Sequence, residues 1–340
     1  METFRRRLPE LVLVVGSVIG LLAVLAGLEA ILRLADPRYL DRTRPPTVYS
    51  ERYGWRYRPG FQGSIHDVWT TINARGYRGR ERERETTPGR TRIVMLGDSI
   101  LFGTQVKDDE TLASLLESRT GRYEVLNLGV EGYGTDQELL LLEHEGLNYR
   151  PDVVILSFCV DNDATNNALA FNPRLARLPK PHFTLADDRL VLHDEHVRLT
   201  PPGRVAQWLH DQSHLYGRLS RLLPAPKRQR SPAPRLSRRD ANAVTLRLIR
   251  RMDEVAGEGG ARFLVVLQPN QPEIAHPSRF STRLRQSLRL EGIPVLDLGE
   301  RYRARGLGPE ELLLDYQGHL SPFGHRVAVQ EIETWLASVL

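Results

Sequence analysis

The sequence has a single cysteine, Cys159, so no disulfide can form within the chain, and cysteine usage does not identify a redox compartment. Lysine is nearly missing as well. Lys107, Lys180 and Lys227 are the whole set, and arginine carries the rest of the positive charge. Acidic residues nearly balance it, leaving a net charge of +5. The signs alternate along the chain, as in Arg80-Glu81-Arg82-Glu83-Arg84-Glu85, which is the pattern of a solvated face. A one-sided basic stripe is lacking, so nucleic acid is not among the expected partners. No Gly-x-Gly-x-x-Gly follows the first strand candidate, which argues against a dinucleotide site. Gly-x-Ser-x-Gly is absent too, which excludes the nucleophile elbow of the α/β-hydrolases. His193 and His196 lie three apart in a predicted hairpin, where they face opposite sides, so shared metal ligation is not expected.

What is present begins with an uncharged apolar run over residues 11–28. At about 1.5 Å per helical residue, the run and its flanks reach across a hydrocarbon core of about 30 Å. Arg5, Arg6 and Arg7 precede it and favour a cytoplasmic N-terminus, although Arg33, Arg38, Arg42 and Arg44 follow on the other side. Two readings stay open. One is an uncleaved anchor (residues 1–33, tail and transmembrane helix) that places the rest of the chain outside the cytoplasm with the bilayer as partner. The other is a signal peptide removed after the run. The anchor is preferred, because the run is longer than a signal core and no small-x-small site follows it cleanly.

Residues 34–90 are polar, aromatic and turn-rich and read as an extended arm, with a short hairpin around residues 68–73. From residue 91 the rhythm changes. Short apolar runs at 93–96, 123–128, 153–158, 263–267 and 294–298 read as buried strands. Helical spacing lies between them, at 110–118, after a capping box at Thr135-Asp136-Gln137-Glu138, at 240–256 and at 279–290, with a last helix from about 322 to 340. Strands alternating with helices predict an α/β fold, a five-stranded parallel sheet between two helical layers. Residues 164–236 break the rhythm and read as an insertion. It holds a hairpin over 182–199 turning at 186–188, a helix over 204–223 and a Pro/Arg-rich linker over 224–235.

Ligands of such sheets bind beyond the carboxyl ends of the strands. The first strand ends in Gly97-Asp98-Ser99, where a turn serine is exposed but needs a base to become a nucleophile. The second leads into Gly129-Val130-Glu131-Gly132-Tyr133-Gly134, whose glycines let a backbone N–H approach an oxyanion. The third ends in Asp161-Asn162-Asp163, where the asparagine offers a side-chain N–H. Near the C-terminus, Asp315-Tyr316-Gln317-Gly318-His319 precedes Ser321-Pro322, and a loop histidine there is free to reach the strand tips. Cys159, at the end of an apolar strand, reads as a buried small hydrophobe.

Taken one at a time these are ordinary turn residues. Together, in the order Ser, Gly, Asn, His, they resemble the SGNH/GDSL hydrolase superfamily over roughly residues 90–340. Gly97-Asp98-Ser99 matches its first block, Gly132 its second, Asn162 with Asp163 its third, and His319, trailed by Gly324, its last. Gly129 to Gln137 and Asn73-Ala74-Arg75-Gly76-Tyr77-Arg78-Gly79 are similar to the subgroup with one N-terminal membrane helix. The resemblance implies a flavodoxin-like three-layer α/β/α fold, hydrolysis or transfer of acyl esters, and neither cofactor nor metal. It implies Ser99 as nucleophile, His319 as base, and an oxyanion hole from Ser99, Gly132 and Asn162. Two places depart from the pattern. Val160 stands where the third block has glycine, which would narrow the pocket. The carboxylate three residues before the histidine is replaced by Tyr316, and Asp315 lies four before. Either one extra loop residue still brings Asp315 to the imidazole, or the site is a Ser–His dyad. The expected function is an esterase on O-acyl, chiefly acetyl, groups of an envelope or exported glycan. The alternatives are an O-acyltransferase, with a membrane-bound acyl-transfer partner, and a catalytically silent glycan-binding relative.

Overall fold

The computed structural model describes residues 2–40, 44–172, 179–220, 222 and 236–340, with side chains from residue 12 onward. The linker expected over 224–235 lies outside the described residues. Contacts divide the chain into two compact units, Met1–Pro45 with Leu199–Gln229, and Pro46–Arg198 with Arg230–Leu340.

The larger unit is built on a parallel sheet of β5 (Thr91–Gly97), β6 (Tyr123–Asn127), β7 (Val153–Cys159), β10 (Arg262–Gln268) and β11 (Val295–Asp297), in the order β11-β10-β7-β5-β6. These are the five apolar runs of the sequence. Their side chains point alternately to the two faces and feed two separate cores. Val94, Leu96, Val154, Leu156, Val265 and Leu267 join one core, with Leu139 and Leu142 of the helix Thr135–His144, Leu248 and Met252 of Arg238–Glu258, and Leu288 of Arg279–Leu290. Ile93, Met95, Ile155, Leu264 and Val266 join the other, with Leu112 and Leu116 of Leu112–Thr120 and Val329 and Ile332 of Pro322–Val339. The chain runs from β5 outward to β6, then returns to β7 on the opposite side of β5. The crevice between the tips of β5 and β7 is therefore the switch point of the sheet.

The stretch 34–90 is not an extended arm. It forms two hairpins, β1 (Thr47–Ser50) with β2 (Gly54–Tyr57) and β3 (Gln62–Ile65) with β4 (Val68–Thr71). The second turns at His66 and Asp67, both with positive φ, as a two-residue hairpin turn requires. Turn-rich polar sequence concealed four aromatic residues, Tyr53, Trp55, Tyr57 and Tyr77, that are buried in the same core as β5 and β7. Trp55 donates Nε1–H to the Glu131 carbonyl at 3.0 Å and stands edge-on to Tyr133, with ring centroids 5.5 Å apart. Arg78 is buried as well. Its guanidinium donates to the carbonyls of Phe102 (3.1 Å), Gly103 (2.5 Å) and Val106 (2.6 Å), closing the C-terminal end of the short turn that starts at Ser99.

The expected insertion also divides. Residues up to Arg198 remain with the sheet, including β8 (His182–Ala186) and β9 (Arg189–His193), whose turn at Asp187 and Asp188 has positive φ. β9 ends at His193, so strand alternation does not extend to His196. The His193 and His196 rings both approach His182, at 5.0 and 5.3 Å. Among the described residues no cluster able to hold a metal is present. The helix expected over 204–223 is two helices, Pro201–Gln212 and His214–Leu219. Ser213 interrupts them, because its hydroxyl accepts the Tyr216 N–H and caps the second helix.

Because the Trp55 ring is fully enclosed, Trp55→Ala is expected to lower unfolding free energy by about 3–5 kcal/mol. Chemical denaturation checks this; a change under about 0.5 kcal/mol, typical of surface positions, would mean that the hairpins contribute little to the sheet unit.

Candidate active site

Ser99 opens a single helical turn immediately after β5, and its hydroxyl is half-buried at the switch point. His319 Nε2 lies 2.8 Å from Ser99 Oγ. Its other ring nitrogen, Nδ1, lies 2.5 Å from Asp315 Oδ2. The three side chains form a continuous hydrogen-bonded relay, and of the two options left by the sequence, the geometry is that of a triad rather than a dyad.

The extra residue between Asp315 and His319 is absorbed by a local turn. Asp315 Oδ1 accepts the N–H groups of Gln317 (2.9 Å), Gly318 (3.2 Å) and His319 (3.3 Å), leaving Oδ2 for the imidazole. Gly318 has φ +104°, and a Cβ there would lie 2.8 Å from the Pro269 carbonyl. Only glycine fits both constraints. Burial pushes the Asp315 carboxyl upward, but the His319 ring and the backbone N–H groups outweigh it and hold the acid below its ordinary range. It is therefore ionised where the imidazole needs it.

The Val130 N–H donates to the Gly97 carbonyl at 3.0 Å, which brings the loop with Gly132 to the tip of β5. The Ser99 and Gly132 amides have no hydrogen-bond partner among the described residues. Gly132 has φ +76°, and its carbonyl is held by Asn172 Nδ2 at 2.7 Å, which fixes the orientation of the loop. Asn162, at the tip of β7, donates through Nδ2 to Asp98 Oδ2 at 2.9 Å. The amide carries a second N–H on the same nitrogen. Asp98, wholly buried, also accepts the Ile100 N–H at 2.9 Å. The Val160 side chain packs against the core on the β7 side, which gives the bulk at the glycine place a packing role. Cys159 is buried, and burial pushes its thiol up, as fits a small hydrophobe.

Sequence reasoning missed what lies behind these residues. The predicted capping box has Thr135 bonding across to Glu138. In the structure the N-cap is Gly134, and its N–H reaches Gln137 at 3.4 Å. Glu138 turns inward instead and is fully buried with neither carboxyl oxygen hydrogen-bonded among the described residues. Burial, then the neighbouring Asp98 and Asp136 carboxylates, push its acid well above the usual range. Asp163 is pushed the same way, by burial and then by Glu138 and Asp98. The N-terminal hairpins contribute as well. His66 Nε2 lies 3.0 Å from Glu131 Oε1, beside Gly132, and the Thr104 hydroxyl donates to the same oxygen at 2.5 Å. No sequence signal marks His66 or Glu138, because each acquires its role from a segment distant in the chain.

A turn serine hydrogen-bonded to a histidine–aspartate pair at the switch point of a five-stranded parallel sheet is the arrangement of an SGNH-type hydrolase. The family model of the GDSL-like lipase/acylhydrolase family matches residues 95–327, and the chain belongs to that family, whose members are hydrolases acting on ester bonds. No curated protein matches the chain. Among solved structures, a GDSL-like lipase from Bacteroides thetaiotaomicron is 12% identical, with 74% of this chain and 89% of that one covered and a TM-score of 0.40. An acetyl xylan esterase is 14% identical (72% and 99% covered, TM-score 0.41). A two-domain esterase active on acetylated mannans is 15% identical (74% and 50% covered, TM-score 0.41). At such scores the likeness says nothing about this chain's substrate.

Burial and its acidic neighbours raise the acid of folded Glu138, whereas the unfolded side chain ionises above about pH 4.3, so this group makes wild-type stability fall as pH rises from there. Glu138→Gln removes that loss. The melting temperature of the variant relative to wild type is expected to climb as pH rises above about 5; a pH-independent difference would mean that the acid is not raised in the fold.

Proposed function

We propose that this family hydrolase is a serine esterase with Ser99 as nucleophile, His319 as general base and then acid, and Asp315 as the group that orients the imidazole. One observation carries the reading: the relay from Ser99 Oγ through both imidazole nitrogens to Asp315. His319 Nε2 takes the hydroxyl proton as Ser99 Oγ adds to the ester carbonyl. The negative oxygen of the tetrahedral intermediate is held by the N–H groups of Ser99 and Gly132 and the second N–H of Asn162. The carbonyl re-forms, the alkoxide leaves, and His319 returns the proton to it as alcohol. Water, deprotonated by the same imidazole, then releases the acid and restores Ser99.

The substrate class we propose is the O-acyl, chiefly acetyl, ester of an envelope or exported glycan. What supports it is location. The helix Glu2–Ala35 contains a segment, Val12–Ala35, long and apolar enough to cross a membrane, preceded by Arg5, Arg6 and Arg7. Read as an uncleaved anchor, it sets the hydrolase outside the cytoplasm, where glycan esters are exposed. A sugar hydroxyl in place of water would turn the same cycle into O-acyl transfer.

The full chain in detergent is expected to take one fluorophosphonate adduct by intact mass, lost in Ser99→Ala and in His319→Ala. A folded chain with no adduct would favour the silent glycan-binding reading. Asp315→Asn is expected to cut kcat on an aryl acetate by about 10⁴-fold, the loss seen when a triad carboxylate becomes an amide. Asn162→Ala is expected to cut it by about 10²–10³-fold. Unchanged turnover in either variant would remove that residue from the mechanism.

A further inference from the structure

The smaller unit holds a helix that faces the wrong way for a protein surrounded by water. In α4 (Pro201–Gln212, counting α1 as Glu2–Ala35, α2 as Leu112–Thr120 and α3 as Thr135–His144), Pro201, Val205, Trp208 and Leu209 fall within one arc of about 100°. Gln207, His210 and Asp211 lie on the opposite side. A surface helix normally buries its apolar stripe and leaves the polar face wet. Here the two faces are not sorted that way: Val205 and Trp208 are 59% and 62% exposed, whereas Leu209 is half-buried like Gln207, His210 and Asp211. In and just after α5 (His214–Leu219), Leu219 and Leu222 are exposed as well.

A second observation fixes the level of this surface relative to α1. Glu29 is the first charged residue after the apolar run of α1. Its carboxylate accepts the Ser213 hydroxyl (2.8 Å) and the N–H groups of His214 (3.0 Å) and Leu215 (2.9 Å), which form the junction of α4 and α5. One turn on, Arg33 donates Nη2–H to the Gln212 carbonyl at 2.7 Å. Tyr39, just past α1, packs under the Arg218 guanidinium at 4.0 Å and beside the His214 ring at 5.7 Å. Residues 11–28 alone nearly fill a core of about 30 Å at about 1.5 Å per residue. The α4–α5 junction therefore meets α1 where hydrocarbon gives way to headgroups. Trp and Tyr are enriched at that level, and a helix with an outward apolar stripe lies flat there. The segment 199–229 also carries five basic residues and one acid, Asp211, which suits anionic headgroups.

We propose that α4 is an interfacial helix, with Val205, Trp208, Leu219 and Leu222 seated in the bilayer surface beside the end of α1. The occupant of the apolar face is lipid. This rests on reading α1 as an uncleaved membrane anchor. Its consequence is a second attachment. The segment 199–229 leaves the catalytic unit after β9 and rejoins it before the helix Arg238–Glu258, so the hydrolase is tethered to the membrane at both ends of this segment as well as at its N-terminus.

The test uses the full chain in vesicles of phosphatidylethanolamine and phosphatidylglycerol, carrying one environment-sensitive fluorophore per variant. Wild type, whose only cysteine is buried, is the labelling blank. Labels at Val205→Cys and Trp208→Cys are expected to be blue-shifted and quenched by nitroxide lipids several-fold more strongly than a label at Gln207→Cys. A label at Val18→Cys, within α1, reports the anchor independently. Quenching at 18 with none at 205 and 208 would overturn the interfacial helix and leave the anchor standing. A blue shift at 205 and 208 without lipid quenching would overturn it in favour of a protein partner. Absence of quenching at 18 would overturn the anchor and, with it, the interfacial helix.

Discussion

The Asp98 carboxyl group is wholly buried, and the Ile100 N–H and the Asn162 side chain both donate to it there. The Asn162 bond joins the tip of β5 to the tip of β7, while the Ile100 bond closes the turn that holds Ser99. In-register parallel pairing brings Gly97 opposite Ser157, and the Asp98–Asn162 bond carries the alignment past the end of the ladder into the two turns. Ser99 and Asn162, more than sixty residues apart in sequence, thereby face one crevice. The loop with Asp315 and His319 has only to reach that crevice from the C-terminal side, and Gly318 gives it the backbone freedom to pass close to Pro269.

Support for this crevice comes from both sides. Beneath the nucleophile turn, Arg78 supplies a rigid fork of donors to carbonyls that a short helical turn leaves unpaired. Beside the oxyanion loop, Trp55 and His66 hold the backbone and side chain of Glu131. The N-terminal hairpins are thus part of the catalytic unit. Behind the loop, Glu138 and Asp163 sit with Asp98 in a region where burial favours neutral acids. Such a store of buried carboxyls costs stability as pH rises and is tolerated close to functional sites, where polar groups must be held dry.

Much of this was legible in the sequence. The five strands appear as short apolar runs because both faces of a parallel sheet are covered. The site appears as Ser99, Gly132, Asn162 and His319 because strand tips are the places where such residues can meet. The stretch 34–90 was not legible as packed structure. Its buried aromatics are diluted among polar and turn residues, and four-residue strands give too short a period to read. The break at Ser213 was hidden for a related reason: helical spacing runs through it, and only the cap reveals the end. Glu138 looked like a capping residue because Thr135-Asp136-Gln137-Glu138 fits the box pattern, whereas the helix begins one residue earlier, with Gly134 as its N-cap.

By itself, the sequence determined the order and type of the sheet elements, the candidates for nucleophile and base, and a first helix apolar enough for a membrane. These follow from local periodicity and from residue chemistry that reads the same wherever it is found. Whether Asp315 reaches the imidazole was decided by tertiary structure, since the answer depends on how a loop with one extra residue curls against Pro269. The packing of the hairpins, the burial of Glu138 and the outward turn of α4 were decided there too. Each depends on which distant surfaces, dry or wet, come to enclose a side chain, and no local window of sequence contains that information.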